Sequence, residues 1–127
     1  MPLPEISAPL AVSLGAIPGA LSRYYLGLFL TRKLGSHFPF GTFAVNLSGS
    51  LLMGIVATAA IEHAIPAHLQ LSIATGFLGS YTTFSTYALD TVNLWQSNKS
   101  AALFYSLGSI GFGLLGLGLG VMLVRRL

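Results

Sequence analysis

Ser80-Tyr81-Thr82-Thr83-Phe84-Ser85-Thr86-Tyr87 is the stretch on which the reading of this chain turns. Seven of its eight side chains carry a hydroxyl. It lies inside a long apolar run, 69–95, and directly follows Gly76-Phe77-Leu78-Gly79. A helix that faces lipid gains nothing from so dense a polar cluster. At membrane depth, irregular polar backbone is tolerated only where protein buries it or a wet cavity receives it. The segment is therefore expected to interrupt a transmembrane helix beside a pore, with the break near Gly79.

The rest of the chain supports a membrane setting. Of 127 residues, 54% are hydrophobic and 7% charged, against roughly 25% charged in soluble domains. That composition indicates an integral, multi-pass protein of the lipid bilayer. A spanning helix takes about 20 apolar residues, so there is room for four spans, short loops and no second domain. Residues 1–127 read as a single four-helix transmembrane domain. The net charge is 6 − 3 = +3, but the basic residues are scattered rather than striped, which argues for surface anchoring and against nucleic acid. Cysteine is absent, which excludes disulfides and thiolate metal sites. No basic segment precedes the first apolar stretch, which is expected to be retained as a helix.

The expected spans are 8–30, 41–61, 68–95 and 101–124, joined by loops at 31–39, 62–66 and 96–100. The third is too long for one straight crossing of about 30 Å, which fits an interruption. Pro18 is expected to kink the first span. Gly15 and Gly19, and Gly116 and Gly120, are four apart, a spacing that lets helices approach closely, within the bundle or between subunits. With four spans, the side holding the termini carries Arg125 and Arg126, and the opposite side carries Arg32, Lys33 and Lys99. So small a bias leaves orientation weakly determined, and predicts insertion both ways with pairing as an antiparallel dimer.

Several polar residues sit inside the spans. Arg23 is costly there unless it is paired or faces water; it reads as a snorkelling anchor or as an anion attractor. Asn46 is either helix glue or a donor of its amide N–H to a passing anion. Thr42 lies four residues earlier, on the same face, and would extend that polar track. Phe84 and Tyr87 share a face just beyond the break, as packing or as ring edges offered to a small anion. Tyr105 and Ser109 form a short hydroxyl track in the fourth span, or bond back to the preceding turn. Asp90 is the only carboxylate within a span, since Glu5 and Glu62 sit at ends, and an ion pair with a loop Lys or Arg is open to it. His63 and His68 are five apart, poor geometry for one helical metal site. No phosphate-cradling loop, Ser/His/Asp set or carboxylate pair is present, so no enzyme is expected.

With these residues in place, the chain resembles the Fluc family of fluoride channels, also called CrcB. The resemblance covers nearly the full length. It rests on Gly15-Ala16-x-x-Gly19-Ala20-x-x-Arg23, on Gly41-Thr42-Phe43 through Asn46 followed by Gly49-Ser50, and most specifically on Gly79 through Thr83-Phe84-Ser85-Thr86. It implies an all-α membrane protein with four transmembrane helices per subunit and a broken third helix, paired as an antiparallel, dual-topology homodimer. It also implies two fluoride pores, by which a bacterial inner-membrane protein exports fluoride passively. A structural sodium ion at the dimer centre is implied too, held by backbone carbonyls of Gly79 and Thr82 from both subunits. Phe84 and Tyr87 would supply ring edges to fluoride, Asn46 a polar donor, Tyr105 and Ser109 hydroxyls, and Arg23 would sit in a vestibule. Where the family commonly has Phe, this chain has Tyr87, whose hydroxyl either donates to fluoride or occludes the path. Two competing readings remain. A small four-helix drug/proton antiporter would need an embedded carboxylate, which the first span lacks. In a non-transporting membrane assembly protein the polar residues would only glue helices.

Overall fold

The computed structural model describes residues 7–127, and the described residues form helices without a strand. Helix α1 runs Ser7–Leu34 and α2 Phe40–Glu62. A third rod begins as α3, Ala67–Gln70, passes through a π-helical stretch, Leu71–Leu78, and ends as α4, Gly79–Tyr81. After Thr82 and Thr83 the chain resumes as α5, Phe84–Ser97, and turns at Asn98 into α6, Lys99–Arg125.

The first expected loop begins later than the composition suggested. Thr31, Arg32, Lys33 and Leu34 complete the last turn of α1, where basic side chains favour the negative end of the helix dipole. Gly35 stops the helix at φ 93°, its N–H donating to the Thr31 carbonyl at 2.9 Å. Pro18 lies inside α1, which continues through it.

α2 and α6 are each long and apolar enough to cross a membrane. Of their most apolar 18 residues, only 22% and 11% are buried within the chain. A soluble core helix would be mostly buried, so these apolar faces need lipid or another protein around them. α1, at 28 residues, is about 42 Å long. α5, at 14 residues, is about 21 Å long and could not cross alone.

Packing between helices rests on glycine. A Cβ on Gly15 would strike the Ser72 carbonyl, so α1 lies directly on the π-helical stretch. On the other flank, Gly120 abuts the Leu51 carbonyl and Gly54 the Leu117 carbonyl, drawing α6 onto α2. The glycine pairs of α1 and α6 therefore serve contacts within the chain. Two buried clusters bracket the break: Val45, Leu78 and Tyr81 on one side, and Leu94, Ala102 and Tyr105 on the other. At one end of the bundle Arg125 Nε meets Glu62 Oε1 at 3.3 Å, bringing the end of α2 beside the end of α6. An exposed pair of this kind adds at most about 1 kcal/mol.

Candidate functional site

The interruption falls at Thr82 and Thr83, three residues beyond the expected position. Gly79 is helical (φ −63°, ψ −34°), whereas Thr82 (φ −85°, ψ 156°) and Thr83 (φ −148°, ψ 118°) are extended. The cause is a competing partner on α2. The Asn46 amide grips the Thr83 backbone at both ends: Nδ2 donates to the Thr83 carbonyl at 3.0 Å, and the Thr83 N–H donates to Oδ1 at 2.8 Å. Thr83 Oγ1 then accepts the Thr86 N–H at 3.2 Å and caps α5.

Other side chains brace the two sides of the break. Arg23 Nε donates to the Ser80 carbonyl at 3.1 Å, placing a cation at the carbonyl end of α4. Ser80 Oγ donates to the Ala16 carbonyl at 2.9 Å, and Tyr81 Oη shares a hydrogen bond with Ser48 Oγ at 2.9 Å. Much of the hydroxyl run is thus spent on carbonyls and a hydroxyl of the surrounding helices, as buried polar groups require.

This arrangement diverts two N–H groups from their helical acceptors. An unbroken helix would bring the Thr83 N–H to the Gly79 carbonyl and the Thr86 N–H to the Thr82 carbonyl. Here they go to Asn46 and to the Thr83 hydroxyl. The carbonyls of Gly79 and Thr82 lose those donors, and such oxygens suit a hard cation like sodium. Among the described residues, no group of three His, Cys, Asp or Glu could hold a metal ion.

Two cavities flank the break, and Thr83 lines both. The first, about 330 Å³, is walled by Asn46, Ser50, Thr83, Phe84, Tyr87 and Ser109, with Met53, Ile110 and Leu117 completing an apolar side. Phe84 is 79% exposed, and its ring centroid lies 5.6 Å from that of Tyr87 at a tilt of 45°. Ser109 Oγ is buried without a hydrogen-bond partner. The Tyr87 hydroxyl donates to the Ser106 carbonyl at 2.8 Å.

The second cavity, about 410 Å³, is lined by Arg23, Tyr24, Thr31, Thr42, Thr83 and Thr86, among others. Thr42 is therefore not beside Asn46 in one continuous track. Asn46 lines the first cavity and Thr42 the second, and Thr83 borders both. Tyr105 also leaves the expected track: it is fully buried, lines neither cavity, and its hydroxyl donates to Asp90 Oδ2 at 3.3 Å. Thr42 interacts with the same phenol. Asp90 makes no ion pair among the described residues; it lines a third cavity of about 340 Å³ with His37, Asn93 and Ser97. Tyr105 offers the nearer donor, whereas Lys99 turns to the Trp95 ring, 5.3 Å from its centroid.

Two residues escaped the sequence reading. Thr83 is the shared wall of the cavities, and its signal was available: a Thr followed three residues later by Thr86 at a helix restart is an N-cap pattern. Ser106 acts through its carbonyl, which no side-chain pattern reveals. Among the described residues, neither of the first two cavities carries a carboxylate. Their neutral hydroxyls, amide, aromatic rings and single guanidinium can receive a small anion, and among the described residues lining them no nucleophile is paired with a base.

Comparison with known proteins points the same way. The family model described as "CrcB-like protein, Camphor Resistance (CrcB)" matches residues 10–121. A "Fluoride-specific ion channel FluC" of Synechococcus sp. (strain JA-2-3B'a(2-13)) is 51% identical over 124 residues, 96% of this chain and 95% of the relative. A protein of the same name from Synechocystis sp. (strain ATCC 27184 / PCC 6803 / Kazusa) is 48% identical over 125 residues, 97% and 96% of the two chains. Another, from Trichormus variabilis (strain ATCC 29413 / PCC 7937), is 50% identical over 125 residues, 96% and 91%.

Proposed function

The chain belongs to the CrcB-like family, and on that premise we propose that it is a fluoride-selective channel of the cell inner membrane, not an enzyme. Fluoride is small and strongly hydrated. Dehydrating it takes replacement donors that hold it well enough for entry and weakly enough for exit. The observation that carries the reading is the cavity beside the break, where Asn46, Phe84, Tyr87 and the unpartnered Ser109 hydroxyl converge without a carboxylate. Asn46 keeps one N–H beyond the one given to Thr83. Arg23, in the neighbouring cavity with Thr42, draws the anion in. Tyr105 supports the wall from behind, through its ring contact with Tyr87.

The working unit is an antiparallel, dual-topology homodimer of four-span subunits, α3 to α5 together making one interrupted crossing. The exposed apolar surfaces of α1 and α6 and the near-balanced Lys/Arg distribution support it. The carbonyls of Gly79 and Thr82 would hold a structural sodium ion at the centre. When bound, that ion supplies a fixed positive charge and ties the two breaks together. A C-terminal tag is expected on both faces of the membrane, and a tag confined to one face would remove the antiparallel arrangement.

The activity is tested in cells. Expression in a bacterium made fluoride-sensitive by loss of its own fluoride export should restore growth in fluoride. Failure of a verified, membrane-inserted protein to do so would count against the channel reading.

A further inference from the structure

Tyr87 lies one turn into α5, where its ring faces the first cavity with Phe84. A phenol in that position has three courses open to it: donate to a passing anion, fill the path, or bond to the protein. A phenol has a single O–H to donate, and here it goes to the Ser106 carbonyl at 2.8 Å. Ser106 sits on α6 about one turn before Ser109, which lines the same cavity. The ring also packs against that of Tyr105, which is itself fully buried, with centroids 5.4 Å apart at a tilt of 37°. Its backbone carbonyl accepts the Thr91 hydroxyl at 2.8 Å.

We propose that Tyr87 is a positioning residue whose hydroxyl tethers α5 to the Ser106 carbonyl of α6, so that an anion in the cavity meets its ring and not its hydroxyl. The proposal deepens the fluoride-channel reading and rests on it. Orientation matters because an aromatic ring is positive at its edge and negative on its face. The hydrogen bond fixes the tip of the ring against α6, whereas rotation about the ring's long axis leaves the hydroxyl oxygen in place, so packing against Tyr105 sets which part of the ring meets the anion. Phe84 has no such tether and stands largely exposed. The aromatic pair is thus asymmetric, one ring pinned at its tip and the other held by packing alone.

Fluoride and chloride efflux from liposomes separates the three courses. Tyr87→Phe keeps the ring and removes the tether; fluoride flux should fall roughly twofold to fivefold, with weaker discrimination against chloride. Tyr87→Ile removes the ring, and flux should fall roughly 100-fold. A loss in Tyr87→Phe as deep as in Tyr87→Ile would make the hydroxyl an anion ligand and overturn the proposal. A Tyr87→Phe channel faster than the unmodified protein would make the hydroxyl an occluder, with the same consequence.

A second readout does not depend on flux. The infrared C–O stretch of the Tyr87 phenol, isolated as the difference between the unmodified protein and Tyr87→Phe, should mark a hydroxyl donating to a carbonyl in fluoride-free buffer. It should not move as fluoride is titrated. A band of an unbonded phenol, or one that shifts with fluoride, would refute the tether. If the unmodified protein passes no fluoride, the channel reading fails while this band still decides the tether.

Discussion

The cavity beside Phe84 and Tyr87 offers rings, an amide and neutral hydroxyls, whereas its neighbour across Thr83 offers a guanidinium among threonines. On the proposed reading, the difference separates attraction from passage. A full positive charge raises the local concentration of an anion over a distance of several ångströms, but in a narrow apolar site it would hold the anion too firmly. Neutral donors and ring edges replace hydration at lower cost of release. The same guanidinium also stabilises the broken helix through the Ser80 carbonyl. Charge is therefore placed where it can serve both the ion and the fold, and the first cavity is left uncharged.

Four substitutions would break or sharpen that contrast. The largest effect belongs to Asn46→Ala, which leaves the Thr83 N–H and carbonyl unpaired at about 1–3 kcal/mol each. The break should close or rearrange, abolishing flux through the first cavity and lowering thermal stability; a variant with normal efflux would uncouple the break from the pore. Next is Phe84→Ile, which fills space without a positive edge. Flux should fall roughly 100-fold, a barrier increase of about 2.7 kcal/mol, with the size-exclusion profile unchanged. Normal flux would remove Phe84 from the path.

Arg23→Gln should cost roughly tenfold in flux at low salt, the deficit shrinking as ionic strength rises. A deficit independent of salt would assign Arg23 to bracing the break alone. The smallest effect is expected for Ser109→Ala. Its hydroxyl is buried and unpartnered, so removal should leave stability unchanged or slightly raised while flux falls roughly threefold. Marked destabilisation would show that Ser109 supports the fold instead of the ion.

The second and fourth expected spans were legible as long apolar helices because continuous apolar runs of membrane length have few alternatives. The hydroxyl run was legible because lipid gives it no purpose. The position of the break was not. Glycine at 79 drew the expectation, yet a glycine flanked by good helical contacts stays helical, and the break is imposed by Asn46, 37 residues away. Thr42 and Asn46 share a helical face by spacing, yet they line different cavities that Thr83 borders on both sides. The Tyr87 hydroxyl was open between donor and occluder until the Ser106 carbonyl supplied a third partner. Spacing along one helix places side chains on a face; it does not say which backbone atom of another helix waits there.

The most direct test of the account is efflux from liposomes loaded with potassium fluoride or potassium chloride, followed by a halide electrode after a potassium ionophore is added. Rapid fluoride release with no chloride release, from protein verified as a folded dimer, is the result expected of an uncharged, donor-lined cavity at the break. No fluoride release, or equal release of both halides, would contradict it.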